Sequence, residues 1–223
     1  MSTPKELDPA YLDRWFRRVT REFCPLATRF IGKRTTYLEI GSWAGASGEW
    51  VAKNVLATHP ESIGIGIDPY PKDRSKYDVE SIKAMAANRV RAAIGERWSW
   101  IYQPSTEGLL EARRVLKGRP VDLIYIDGAH EAYAVVTDFV LAWPLLRPGS
   151  VVIFDDYHNG RDRFRTWPGV EAAVKAIQAA WAGCIIPIKE RQRKQAAFEV
   201  LRTDLGPLRD RDAVMADYVK RTR

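Results

Sequence analysis

Cysteine is nearly absent from this chain of 223 residues: its two copies, Cys24 and Cys184, stand far apart and without metal-type spacing. That excludes a disulfide-stapled scaffold and a thiolate zinc site, and makes a reduced, cytoplasmic setting the expectation. No apolar stretch reaches transmembrane length, so no membrane partner is expected. The opening Met1-Ser2-Thr3-Pro4-Lys5-Glu6 lacks the apolar core of a signal peptide. Internal repeats and low-complexity segments are missing as well. What remains is an ordinary globular composition, 46% apolar, with a length that suits one decorated domain and a sizeable core. The net charge of +7 permits an acidic partner such as RNA or an anionic substrate. The basic residues are scattered, however, and concentrate only locally, at 14–21, 161–165 and 189–194. A basic stripe interleaved with aromatics is absent, so nucleic acid is not the expected partner.

Four apolar runs each end in a carboxylate. The first reaches Glu39, Ile63 to Ile67 is followed by Asp68, Val121 to Ile126 by Asp127, and Val151 to Phe154 by Asp155 and Asp156. Helical patterns separate them, giving strands near 36–40, 63–67, 98–103, 121–126 and 150–155 and helices near 46–57, 78–94, 106–116 and 131–143. Alternation of this kind predicts parallel βαβ units. The runs are apolar throughout, as in strands buried on both faces. After a break at 157–168 a helix follows over 170–181. Two strands, 184–188 and 196–201, are then joined by a connection short enough for an antiparallel hairpin. The fold class read here is α/β: a Rossmann-like, doubly wound, mostly parallel seven-stranded sheet with a C-terminal antiparallel hairpin. An N-terminal helical extension (1–34) precedes the main domain (35–203), and a helical tail (204–223) follows it. Residues 7–23 place Leu7, Tyr11, Trp15, Phe16, Val19 and Phe23 on one helical face. That face suits packing, a lid or a homodimer contact.

In an open α/β sheet, ligands bind outside the carboxyl ends of the strands. Gly41, Gly45 and Gly48 follow the first strand, but Trp43 stands where a nicotinamide fingerprint would need its second glycine. A pyrophosphate would find little room there, which argues against a dinucleotide. Asp127 and Asp155 end strands expected to be neighbours, about 4.8 Å apart. Converging carboxylates must take up a proton or a cation, and oxygen ligands favour a hard ion such as Mg2+ or Ca2+. His130, three residues past Asp127, has the side chain whose titration suits a general base; bonding to local backbone is as good a reading.

Glu39-x-Gly41-x-x-x-Gly45 resembles the first motif of class I S-adenosylmethionine-dependent methyltransferases. Asp127-Gly128-Ala129-His130 and Asp155-Asp156-Tyr157 resemble those of a metal-dependent O-methyltransferase subgroup acting on sugars and catechols. The resemblance covers roughly residues 35–180. It implies S-adenosylmethionine as cofactor, held by the turn with Glu39, Gly41, Ser42, Gly45 and Ser47. It also implies Asp68 on the ribose hydroxyls, Ser105 and Thr106 beside the adenine, and Asp127 near the sulfonium end. Ser105 and Thr106 serve equally well as a helix N-cap. The resemblance further implies a metal trio of Asp127, Asp155 and Asp156 for Mg2+ or another hard divalent cation. The partner it implies is a small hydroxylated substrate, with Asp127 or His130 accepting the hydroxyl proton. Tyr70, Tyr77, Tyr157 and Trp167 are candidate pocket walls, and Arg161, Arg163 and Arg165 a candidate clamp for an anionic substrate. Two other functions compete. One is methylation of RNA or another macromolecule, although an Asn-Pro-Pro-Tyr motif is absent; the other is a non-catalytic cofactor-binding scaffold.

Overall fold

The structure, a computed structural model, describes residues 13–14, 16–71, 78–157, 168–188 and 194–204. The strands are β1 (Thr36–Ile40), β2 (Ile63–Ile67), β3 (Trp98–Ile101), β4 (Val121–Ile126), β5 (Leu146–Phe154), β6 (Ile185–Pro187) and β7 (Ala196–Val200). They form one sheet in the order β3-β2-β1-β4-β5-β7-β6. The first five pair in parallel, and β7 pairs antiparallel with both β5 and β6. The helices are α1 (Thr20–Ala27), α2 (Ala46–Asn54), α3 (Val79–Ile94), α4 (Ser105–Leu116), α5 (Ala132–Ala142) and α6 (Pro168–Ala180).

Strand alternation sorts the core into two layers. Leu38, Ile40, Ile124, Ile126 and Val152 point to the side covered by α4, α5 and α6. Tyr37, Leu123, Tyr125, Val151 and Ile153 point to the side covered by α1, α2 and α3. β1 and β4 are buried along their whole length, which is why their sequences run apolar instead of alternating.

Several bounds change in detail, and the third strand ends at Ile101, not at 103. The fifth strand begins at Leu146, not at 150. Leu146 pairs with Val121 and the register then shifts, while the Ser150 hydroxyl donates to the Val121 carbonyl at 2.7 Å and bridges the irregularity. The helix expected over 46–57 ends at Asn54 and tightens into a 3-10 turn, Leu56–Thr58. The N-terminal pattern is helical at 13–14 and 16–17, turns at 18–19, and resumes as α1. The expected tail helix lies outside the described residues, as do Tyr77, Arg161, Arg163, Arg165 and Trp167. Among the described residues no helix is long and apolar enough to cross a membrane.

From β1 the chain winds outward through β2 to β3, then returns to place β4 on the other side of β1. The crevice at that reversal, above the ends of β1 and β4, is where a ligand has room.

Candidate active site

The turn after β1 is shaped by close contacts. Gly41 has φ +85°, and a Cβ there would lie 2.0 Å from the Asp127 carbonyl oxygen. Only glycine lets the ends of β1 and β4 meet so closely. Gly45, at φ +75°, starts α2 and lies against Ala86 of α3, where a Cβ would come within 2.8 Å of its Cα. Trp43 adopts φ +43° with a full side chain, and its N–H donates to Asp68 Oδ2 at 2.9 Å. Tyr70, at φ +46°, donates its N–H to Asp68 Oδ1 at 2.8 Å and its hydroxyl to the Trp43 carbonyl at 2.7 Å. Asp68 thus anchors two left-handed residues on separate loops. Burial raises its pKa, and backbone N–H groups of Trp43, Tyr70 and Ser42 pull the other way. Arg89 of α3 donates to the Ala44 carbonyl at 3.1 Å and to Asp13 Oδ1 at 2.7 Å, joining the turn to the N-terminal segment.

These loops enclose a cavity of about 660 Å3, within the range of small-ligand clefts. One half is lined by Gly41, Ser42, Trp43, Asp68 and Ser105. The other is lined by Asp127, His130, Asp155 and Asp156, and Phe16, Arg18 and Lys194 also line the cavity. His130 Nε2 lies 2.9 Å from Asp156 Oδ2 and 3.9 Å from Asp127 Oδ1. Burial alone would lower the His130 pKa, but bonding to Asp127 and Asp156 and their charge push it up to about 10. Burial pushes Asp127 up to about 6, against the pull of His130. Asp155 is raised well above the usual range by burial and by the charges of Asp127 and Asp156. Its Oδ1 accepts from Gln195 Nε2 at 3.0 Å, and the Tyr125 hydroxyl bonds to the same carboxylate.

Compared with known protein families, residues 38–157 match the methyltransferase domain family. The chain belongs to that family. A curated relative, an uncharacterised protein of Acanthamoeba polyphaga mimivirus, is 25% identical over 159 residues; the match spans 69% of this chain and 66% of that protein, just under two thirds. Among solved structures, the apo TDP-rhamnose 3'-O-methyltransferase of calicheamicin biosynthesis matches with a TM-score of 0.63 at 14% identity, over 86% of this chain and 82% of its own. The methyltransferase MycE of the mycinamycin pathway, in complex with Mg, SAH and mycinamycin VI, matches with a TM-score of 0.56 at 18% identity, over 92% of this chain and 57% of its own. At such identities the likeness is one of fold.

Within this methyltransferase domain, Gly41, Ser42, Ser47, Asp68, Ser105 and Asp127 reach the cavity, whereas Glu39, Gly45 and Thr106 do not line it. Glu39 is fully buried under the turn. Its carboxyl accepts from the Tyr37 hydroxyl at 3.2 Å and from the Ser47 hydroxyl, and burial pushes its pKa up to about 8. Gly45 sets the start of α2, and the Thr106 hydroxyl bonds to exposed Glu107. Tyr70 is a brace behind Asp68, and Tyr157 packs against the core.

The carboxylates expected to hold a cation are all at the cavity floor, but they group differently. Asp127, His130 and Asp156 bring one ligand atom each to within 4.8 Å of one another. Asp155 faces Tyr125 and Gln195 instead. Successive strand residues point to opposite sides, and Asp156 leaves the strand at φ +52°, so the two neighbours diverge. Two carboxylates and an imidazole fit a divalent cation, with the oxygen majority favouring a hard one. The turn also fits the amino-acid end of S-adenosylmethionine. Ser42 is 3% exposed at the cavity wall, and its Oγ has no hydrogen-bond partner among the described residues. A buried hydroxyl left in that state favours a polar ligand group.

The residues that sequence reasoning missed come from outside the βαβ motifs. Phe16, Arg18 and Lys194 line the cavity, and Gln195 holds Asp155. Asp138, 1% exposed on otherwise apolar α5, sits behind Ser105 with its pKa pushed up to about 6 by burial, opposed by the Ser105 hydroxyl. A lone acid in an apolar helical run was the available signal.

Proposed function

We propose that this chain is an S-adenosylmethionine-dependent O-methyltransferase acting on a hydroxyl of a small molecule, a sugar moiety or a phenol, with a divalent cation at the acidic cluster. One observation carries the reading: a single cavity joins the Gly41–Ala44 turn and Asp68 to the Asp127, His130 and Asp156 cluster. Membership of the methyltransferase domain family supports the cofactor half. The Mg and SAH named for MycE, and the sugar hydroxyl named for the calicheamicin enzyme, support the acceptor half.

The residues divide the work. S-adenosylmethionine supplies an electrophilic methyl group and leaves as the neutral thioether once the methyl has moved to oxygen. The turn and Ser42 hold its amino-acid end, Asp68 accepts from the ribose hydroxyls, and Ser105 borders the adenine. A cation bound at Asp127, His130 and Asp156 would lower the pKa of the acceptor hydroxyl and orient it. Asp127, whose carboxylate lines the cavity beside His130 and Asp156, is the group we assign to take the hydroxyl proton. His130 is bound between two carboxylates and orients them. Most of the rate gain is proximity in a cavity that Phe16 helps to line.

The test is calorimetry with S-adenosylhomocysteine, with NAD as control, with Mg2+ present or chelated. Binding of S-adenosylhomocysteine alone supports the cofactor, and tighter binding with Mg2+ supports the cluster as a metal site. Failure to bind it removes the proposed function.

A further inference from the structure

Two cations that line the cavity come from segments that no strand–turn–helix motif supplies. Arg18 comes from the N-terminal segment and Lys194 from the approach to β7. The backbone that carries Lys194 is fixed on two sides. Glu22 of α1 accepts through Oε2 from the N–H groups of Lys194, at 3.0 Å, and Gln195, at 3.1 Å. Gln195, 1% exposed, then donates its side chain to Asp155 at 3.0 Å. Lys194 makes no ion pair with any described residue, although four carboxylates, Asp68, Asp127, Asp155 and Asp156, line the same cavity. Asp155 and Asp156 are satisfied elsewhere, by Gln195 and His130.

A neutral hydroxyl compound would need neither cation. An anionic one would be drawn to the two cations that line the cavity, Lys194 and Arg18. Resting on the reading of this cavity as a methyl-transfer site, we propose that the acceptor carries an anionic group, a carboxylate or a phosphate. Lys194 and Arg18 bind that group while the hydroxyl to be methylated lies at Asp127, His130 and Asp156. Charge-assisted bonds of this kind are the strong ones, and they fix orientation as well as affinity.

The experiment uses the full chain loaded with S-adenosylhomocysteine and two matched probe pairs: 3,4-dihydroxybenzoate against catechol for the carboxylate, and glucose 6-phosphate against glucose for the phosphate. The anionic member of at least one pair should bind about tenfold tighter or more, and the pair that shows it names the group. Replacing both cations, Lys194→Met with Arg18→Met, should bring that preference to within about threefold without changing S-adenosylhomocysteine affinity. Equal binding within both pairs overturns the inference, as does a preference that survives the double substitution. So does a loss that strikes neutral and anionic probes alike, since Lys194 would then only balance the floor. If the unsubstituted chain does not bind S-adenosylhomocysteine, the proposed function falls and takes this inference with it. If it binds without anionic preference, this inference falls alone.

Discussion

Glu39, the penultimate residue of β1, lies at the base of the glycine turn, fully buried, and its carboxyl carries a proton at neutral pH because burial pushes its pKa up to about 8. In the unfolded chain it ionises near 4.5. The folded state therefore holds a proton that the unfolded state has lost, and stability must fall as pH rises between those values. The contribution is fully present below pH 4.5 and is lost through pH 8. The slope approaches 1.36 kcal/mol per pH unit, so the loss from pH 5 to pH 8 is about 3.5 kcal/mol.

Glu39→Gln removes this dependence while keeping the shape. A neutral carboxyl has one donor and one free acceptor oxygen, as an amide does, and the Tyr37 and Ser47 hydroxyls can turn to serve either. Denaturant unfolding of both proteins from pH 5 to pH 8 should show the Glu39→Gln variant gaining about 3.5 kcal/mol relative to the parent. Because Glu39 does not line the cavity, S-adenosylhomocysteine affinity should change by less than about threefold. A stability difference that stays flat across this range would mean Glu39 is ionised in the fold, and the account of a buried neutral acid would be wrong. A large loss of affinity with intact stability would instead return Glu39 to direct cofactor contact.

Three further outcomes are expected. Gly41→Ala places a methyl group 2.0 Å from the Asp127 carbonyl at φ +85°, so β1 and β4 must part; thermal unfolding should show a loss of about 3 kcal/mol or more, and an unchanged midpoint would contradict the close approach. Asp68→Asn keeps the size but loses the charge that receives the Trp43 and Tyr70 amides; calorimetry should show S-adenosylhomocysteine binding weakened by roughly tenfold to a hundredfold. In metal-free protein His130 is raised to about 10, so its contribution to stability is complete below pH 6.5 and lost as pH passes 10; a nuclear magnetic resonance titration should find its imidazole still protonated at pH 8, and a midpoint near 6.5 would refute the paired arrangement.

What could be read in the sequence, and what could not, follows from how far apart the contributing residues lie. β1, β2 and β4 were legible to the residue, because parallel strands buried on both faces leave an unbroken apolar run with a carboxylate at its end. The place of Gly41, Ser42 and Asp68 at the cavity was legible for the same reason: each sits at the end of such a run. The acidic floor was legible in composition but not in grouping. Side by side in the chain, Asp155 and Asp156 look like two ligands of one ion. A strand turns successive side chains apart, and the left-handed turn at Asp156 sends its carboxylate to His130 while Asp155 goes to Gln195 and Tyr125. Arg18 and Lys194 stand in basic stretches visible in the sequence, but their meeting at one cavity was not legible. β7 inserts antiparallel beside β5, and only that long-range pairing sets Lys194 and Gln195 over an acid 40 positions earlier in the chain. Glu22 then joins the N-terminal helix to the same strand, 172 positions away from Lys194. No local period encodes a contact of that span.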